Sequence, residues 1–156
     1  MQFNDRVQLE IAILKWAAVL LIVKVLLSIV SNYPDFFPPN LQAVFLIGRE
    51  NNFYGTYQVA FYAHILSTPI AILSGLVLMN QRFRQTYPAR HRLIGKWNVA
   101  IVLFAVAPSG LWMSARSYTG VVAGAGFASL AIATGLCAAM GWRLITLIVF
   151  ECVDVQ

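Results

Sequence analysis

Four long apolar stretches divide this chain of 156 residues, and they constrain its fold more than any other feature. A helix needs about 20 mostly apolar residues to cross the hydrocarbon core of a bilayer. Four windows meet this requirement, at about residues 9–30, 57–79, 96–115 and 119–140. Charged residues make up only 11% of the chain, against about 25% in a soluble domain. The sequence therefore predicts a single all-α integral membrane domain, a bundle of four transmembrane helices.

The distribution of charge predicts the orientation of these helices. The connection between the second and third windows, residues 80–95, carries four Arg residues and no acidic residue, and Lys96 follows it. Short loops rich in Lys and Arg stay on the cytoplasmic side of a membrane. The connection over residues 31–56 carries one basic and two acidic residues, which suits the outside. We therefore expect a cytoplasmic basic loop, with the N-terminus and the C-terminus on the same cytoplasmic side.

The basic loop also indicates what the chain contacts at the membrane surface. Five of the eleven Lys and Arg residues lie in or directly beside it, so the net charge of +5 is concentrated there. Such a cluster is attracted to anionic lipid headgroups by about 1 kcal/mol per charge. We therefore expect lipid, and not nucleic acid, as the partner of these charges. The side chains expected at the headgroups are Arg82, Arg84, Arg90, His91, Arg92 and Lys96.

The fourth window carries small residues at helical spacing. Gly124, Ala128, Ala131 and Gly135 fall on one face of a helix. In lipid, such faces let helix backbones approach closely, and this packing replaces the hydrophobic drive that water would supply. The stripe is expected to pack against a helix of the same chain or, as the alternative, against another membrane subunit.

Two shorter segments carry weaker signals. Pro38-Pro39-Asn40 followed by Leu41–Ile47 and Gly48 predicts one or two turns of helix. The seven apolar residues Leu144–Phe150 are too few to span a membrane. We expect them to form an interfacial tail, to lie against a partner, or to be the start of a further helix.

Histidine supplies the candidates for chemistry inside the membrane. His64 falls about two turns inside the second window, and an ionisable side chain at that depth is a functional candidate by default. It could ligate a haem, hydrogen-bond a quinone or carry a proton, or it could be a neutral residue bonded to a neighbouring helix. About 15 residues, or about 22 Å, separate it from the inner end of its helix, close to His91. One haem therefore cannot take both histidines, and any haem or quinone site would be shared with a partner subunit.

Other features argue against an enzyme or a coupled transporter. All six acidic residues fall at chain ends or in loops, whereas proton-coupled transporters place carboxylates at mid-membrane. The sequence shows no phosphate-binding loop, nucleophile elbow or zinc-protease motif, and its two cysteines lack metal-ligand spacing. We therefore assign no catalytic or metal-binding residue, and the sequence by itself requires no cofactor.

One signature resembles a known family. His64, Gly75 and Arg84 are followed by Pro88-x-x-His91-Arg92-x-x-Gly95-Lys96-Trp97 and then by a Gly-rich helix. Over about residues 57–143 this pattern resembles an uncharacterised family of bacterial multi-pass membrane proteins, catalogued as a domain of unknown function. The resemblance implies a helical bundle in the bacterial cytoplasmic membrane. The family is similar in layout to transmembrane b-type cytochromes and ferric reductases, which implies that its two histidine positions match His64 and His91.

These observations rank three functions. The first is a small non-catalytic subunit that packs against or stabilises a larger membrane assembly. The alternative is a redox-associated module with a quinone or haem near His64, and a small transporter comes third. We expect other membrane protein subunits as partners, besides the anionic lipids on the inner side.

Overall fold

The computed structural model describes residues 2–43, 46–50, 53–118 and 120–153. Every regular element in these residues is helical. Four helices are long and apolar enough to cross a membrane: Arg6–Asp35, Thr56–Leu78, Pro88–Ser114 and Val121–Arg143. The predicted all-α fold with four spanning helices is therefore confirmed, while the orientation of the termini stays a prediction. The chain divides into two compact units, residues 1–47 and residues 48–156.

The first unit consists of one long helix and a short irregular segment. Helix α1 spans Gln2–Ser31, and a single 3₁₀ turn follows at Tyr33–Asp35. The expected helix over Leu41–Ile47 does not form in the described residues of that range, which adopt turns. Asn40 explains the difference: its side-chain oxygen accepts the Gln42 amide at 3.1 Å and its carbonyl accepts the Ala43 amide at 2.9 Å. Such local bonds compete with helix formation.

The second unit contains the other three spanning helices. Helix α2 is Thr56–Leu78, α3 is Gln81–Thr86, α4 is Pro88–Ile101, α5 is Ala107–Ser114 and α6 is Val121–Val153. A π-helical segment, Val102–Val106, joins α4 to α5, so Pro88–Ser114 is one continuous helix, called here the third spanning helix. It packs against both α2 and α6. The spanning helices of this unit expose many large apolar side chains, as contact with lipid requires.

The basic connection differs from the loop expected over residues 80–95. Helix α3 forms within it, because the Asn80 side chain accepts the backbone amides of Arg82 and Phe83 at 2.9 and 3.3 Å and so caps the first turn. Helix α4 then begins at Pro88, whose fixed φ suits the first helical position. The third spanning helix therefore starts eight residues before the apolar window that predicted it.

The π-helical segment has a physical cause in the sequence. Pro108 has no backbone N–H, and its ring would collide with the carbonyl four residues earlier in a regular α-helix. The preceding turn is widened instead, and the Ala107 amide donates to the Val102 carbonyl, five residues back. The helix is therefore distorted by a π-turn on the N-terminal side of Pro108.

Helix α6 is longer than the sequence predicted. The apolar window ends at residue 140, and Leu144–Phe150 is expected to form an interfacial tail, to lie against a partner or to be the start of a further helix. The described backbone instead continues as one helix to Val153. Gly141 does not end it, since a single glycine costs a helix only about 1 kcal/mol.

The small residues of α6 lie against the third spanning helix and the turn that follows it. A Cβ atom added at Gly124 would lie 2.9 Å from the Ser114 carbonyl oxygen. A Cβ at Gly135 would lie 3.4 Å from the Ala107 Cβ, and Ala131 faces Gly110 across the same contact. Ala128 between them is half-buried. These contacts lie within this chain, and contact of the same stripe with another membrane subunit stays a prediction.

Candidate functional site

His64 lies on the face of α2 that meets the third spanning helix. Its Nδ1 atom is 3.2 Å from the Val106 carbonyl oxygen and 3.0 Å from the Ser109 hydroxyl oxygen. The ring is seated against Gly110, where a Cβ atom would lie 3.1 Å from Cε1. The π-turn and the glycine therefore shape the surface that receives this imidazole. The ring faces the protein and not the lipid, as a buried polar group requires.

The hydrogen bonds assign the protons on this histidine. A carbonyl oxygen only accepts, so the contact with Val106 requires a proton on Nδ1. The Ser109 hydroxyl in turn donates to the Ala105 carbonyl at 2.5 Å, which leaves its oxygen free to accept from the imidazole. In the neutral ring Nε2 then carries a lone pair. Within the described residues no group hydrogen-bonds to Nε2, so this nitrogen is available to a ligand.

Further polar groups follow His64 along the same interface. Thr68 lies one turn on from His64, and Gly75 lies two turns beyond Thr68 on the same face. Asn98 of α4 lies opposite Gly75, with its Nδ2 atom 3.7 Å from the position of an added Cβ. The Thr68 Oγ1 and Asn98 Oδ1 atoms are buried and have no hydrogen-bond partner among the described residues. We call His64, Thr68, Asn98 and Ser109 the polar seam.

His91 lies at the other end of α2. Its Nε2 atom is 3.2 Å from the carbonyl oxygen of Leu78, the last residue of that helix. Since the last carbonyls of a helix lack partners within it, the imidazole donates to one of them and ties α4 to the end of α2. The Phe83 ring lies beside it, with ring centroids 6.3 Å apart. The headgroup role expected for His91 stays a prediction, and this helix-end contact is an additional one.

The two histidines cannot share a cofactor in one chain. Fourteen residues of α2 separate His64 from Leu78, which is about 21 Å along the helix axis. The two axial ligands of a haem lie on opposite sides of a single iron atom, so this separation excludes the pair.

The remaining cationic side chains of the basic cluster are all exposed. Arg90 lies over the Tyr87 ring, with its guanidinium carbon 5.2 Å from the ring centroid. The structure brings these side chains together on α3 and the first turns of α4, at one end of the spanning helices. The set consists of Arg82, Arg84, Arg90, Arg92 and Lys96. Their contact with anionic headgroups stays a prediction.

An apolar groove runs between α5 and α6 on the outward side of the packed stripe. Its volume is about 330 Å³. The groove is lined by Leu103, Ala107, Pro108, Leu111, Ala131, Ile132, Gly135 and Leu136. Three of the lining residues are small, Ala107, Ala131 and Gly135, and leucine and isoleucine make up most of the rest.

Several of these features have no local signal in the sequence. Ser109 and Asn98 carried no motif, and their places in the polar seam depend on how α2 meets the third spanning helix. Arg49 and Arg116 are 67 residues apart, yet the Arg49 side chain donates to the Arg116 carbonyl. No local pattern pairs them, although aromatic residues near both are typical of a membrane interface.

Comparison with protein families finds one match. The family is described as predicted membrane protein (DUF2306), and the match covers residues 61–147, which is 87 of the 156 residues. The chain belongs to this family. Comparison with curated proteins and with solved structures finds no match. The matched DUF2306 region begins at Phe61 and includes the polar seam, the basic cluster and the small-residue stripe, so these features belong to the family region of a multi-pass membrane protein.

Proposed function

We propose that this DUF2306 protein is a non-catalytic subunit of a larger assembly in the bacterial cytoplasmic membrane. The observation that carries this proposal is the apolar groove between α5 and α6. A membrane helix associates through close packing, and grooves floored by small residues permit the closest approach. Ala131 and Gly135 are small residues that line this groove, so the groove suits one apolar helix of a partner subunit.

The arrangement of His64 also favours a structural role. Its Nδ1 proton is used to hold α2 against the third spanning helix. A hydrogen bond between membrane helices contributes about 0.6 to 2 kcal/mol, which is useful in a small protein that scaffolds others. On this view the imidazole sets the helix arrangement that shapes the groove.

Site-specific photo-crosslinking in native membranes tests the groove. Leu136 lines it and is 60% exposed, whereas Phe127 is 58% exposed, lies nine residues away on the opposite face of α6 and serves as the control. We expect a photoreactive residue at position 136 to form a discrete protein adduct that is absent from position 127. The adduct partner should also co-purify with the wild-type protein and be lost on Ile132→Trp, which fills the groove.

Two outcomes would contradict the subunit proposal. Lipid adducts alone at position 136 would show that lipid chains fill the groove. Equal protein adducts at positions 136 and 127 would show that neither face is a specific interface.

A second candidate function, a redox-associated module, is favoured by the protonation of His64. Ligating histidines commonly donate the proton of one ring nitrogen to a carbonyl oxygen, which orients the ring and leaves the other nitrogen for the metal. The bond from His64 to the Val106 carbonyl has this form. Nε2 suits a haem iron, or the hydroxyl proton of a quinol, with the rest of the site supplied by a partner.

The absorbance spectrum of the protein purified with its native partners separates the two candidates. The redox candidate predicts a Soret band, or a quinone that co-extracts with the protein. Either signal should be lost in His64→Ala and retained in His91→Ala, since His91 bonds to the far end of α2. A colourless, quinone-free wild-type assembly would reject the redox candidate and leave the subunit proposal standing.

A further inference from the structure

Two arginines line one cavity at the end of the second unit opposite the basic cluster. The cavity has a volume of about 460 Å³, within the range of about 300–1,000 Å³ that is typical of small-ligand sites. Its lining consists of Gly48, Arg49, Tyr57, Arg116, Ser117 and Tyr118. No acidic residue is among them, so the cavity combines two positive charges with two phenol rings and one hydroxyl side chain.

Arg49 is held in place by its neighbours. Its Nη1 atom donates to the Arg116 carbonyl oxygen at 3.0 Å, and its guanidinium carbon lies 4.6 Å from the centroid of the Tyr57 ring. The Tyr57 side chain is itself buried, and its ring makes an edge-to-face contact with Phe53, which in turn contacts Phe61 in the same way. A guanidinium has five N–H groups, and the Arg116 carbonyl occupies one of them. Among the described residues no other hydrogen bond of this guanidinium is present, so its remaining N–H groups could bind a ligand.

Arg116 brings the second charge. Its guanidinium carbon lies 5.2 Å from the Trp112 ring centroid at the end of the third spanning helix. Within the described part of the chain neither arginine has a carboxylate partner, and the adjacent Glu50 does not line the cavity. Two guanidinium groups around one cavity repel each other, and at the low dielectric of a membrane interface that repulsion is larger than in water. An anion between them would remove it.

The wall of the cavity is also fixed. Gly48 adopts φ +74°, a conformation that favours glycine, and the Tyr118 ring lies so close that an added Cβ atom would overlap it. The loop that carries Arg49 is thereby held against the turn that carries Arg116. This contact between the loop and the turn brings both arginines to the same cavity.

We propose that this cavity binds a phosphate group, either the headgroup of an anionic phospholipid or inorganic phosphate. Arginine presents paired N–H donors that match the oxygens of a phosphate, and charge-assisted bonds of this kind are about twice as strong as neutral ones. The position beside Trp112 and Tyr118, aromatic residues at the end of a spanning helix, is the depth at which lipid headgroups lie. On the predicted topology this end faces the outside.

Thermal unfolding of the purified protein in a neutral detergent tests the site with two probes. One titration adds phosphatidylglycerol, with phosphatidylcholine as its control, and the other adds inorganic phosphate, with chloride at equal ionic strength. We expect at least one phosphate probe to raise the unfolding midpoint of the wild type in a saturable way. A rise with inorganic phosphate identifies a free anion as a ligand, and a rise with phosphatidylglycerol alone identifies a lipid headgroup.

Variants test whether the rise in unfolding midpoint arises from binding at the cavity. Arg116→Gln should raise the probe concentration that gives half of the rise in unfolding midpoint at least tenfold. The change removes a charge but leaves the bond between the Arg49 side chain and the Arg116 carbonyl in place. Arg49→Gln should do the same. Arg6→Gln, a change of an exposed arginine that lies neither in the cavity lining nor in the basic cluster, should retain the wild-type response.

Two results would overturn the proposal. The first is a wild type that responds to neither phosphate probe, a measurement that does not depend on whether any variant folds. The second is a response that survives Arg116→Gln but is lost in Arg84→Gln, which would place the bound phosphate at the basic cluster.

Discussion

Gly124 packs so closely against the end of the third spanning helix that the loss of stability on its replacement can be worked out from distances. A Cβ atom at Gly124 would lie 2.9 Å from the Ser114 carbonyl oxygen and 3.4 Å from the Ser117 Cβ. The first of these is a backbone atom, which cannot rotate away as a side chain can. At Gly126, two residues along the same helix, an added Cβ would meet nothing within 4 Å. The two glycines therefore form a matched pair.

Replacing each glycine by alanine separates the effect of helix propensity from the effect of steric overlap with neighbouring atoms. Alanine is favoured over glycine in a helix by about 1 kcal/mol, and both positions receive that gain. Overpacking costs about 1–3 kcal/mol, and it applies at Gly124 alone. We expect Gly126→Ala to be neutral or stabilising, and Gly124→Ala to be less stable than Gly126→Ala by about 1–3 kcal/mol. For a chain of this size the difference corresponds to roughly 2–12 °C in the unfolding midpoint.

Size-exclusion chromatography of detergent-solubilised protein after stepwise heating measures this difference. Gly135→Ala, whose Cβ would lie 3.4 Å from the Ala107 Cβ, should fall between the two variants. Equal midpoints for Gly124→Ala and Gly126→Ala would show that α6 does not approach Ser114 this closely. The close contact between α5 and α6 would then be wrong.

Three further predictions concern the polar seam, the end of α2 and the topology. Thr68→Val removes a buried hydroxyl that has no partner among the described residues, and it should raise the unfolding midpoint by the equivalent of about 1 kcal/mol; a lower midpoint would show that the hydroxyl binds water or a ligand. His91→Ala should cost about 1 kcal/mol through loss of its bond to the α2 terminus, whereas the exposed Arg92→Ala should not, and equal midpoints for the two variants would refute this role. In a cysteine-free background, a membrane-impermeant thiol reagent should label Glu50→Cys but not Gln85→Cys in intact cells, and the reverse pattern would invert the predicted orientation.

Some structural signals were present in the sequence but were outweighed by hydropathy. Asn80 and Pro88 are ordinary helix-start residues, yet the apolar window placed the start of the third helix at residue 96. Charged side chains at a helix end lower the average hydropathy without ending the helix. In α6, Gly141 and Arg143 are typical of the end of a helix, yet the helix continues through both residues.

The candidate site was predictable only in part. An imidazole within an apolar span has few acceptable surroundings, so the sequence indicated that His64 faces protein. Its partners could not be predicted, because the Val106 carbonyl becomes accessible through the π-turn before Pro108 and the Ser109 hydroxyl depends on helix rotation. The burial of the Thr68 hydroxyl and the Asn98 amide oxygen depends on the same rotation.

By itself, the sequence determined the number of spanning helices, their approximate positions and the small-residue face of α6. These follow from local properties, namely apolar length against bilayer thickness and side-chain spacing at 3.6 residues per turn. The tertiary structure alone decided which groups meet: His64 with Val106, Gly124 with Ser114, and Arg49 with Arg116 across 67 residues. Such meetings depend on the rotation and approach of packed helices, which the summed contacts of the whole interface determine.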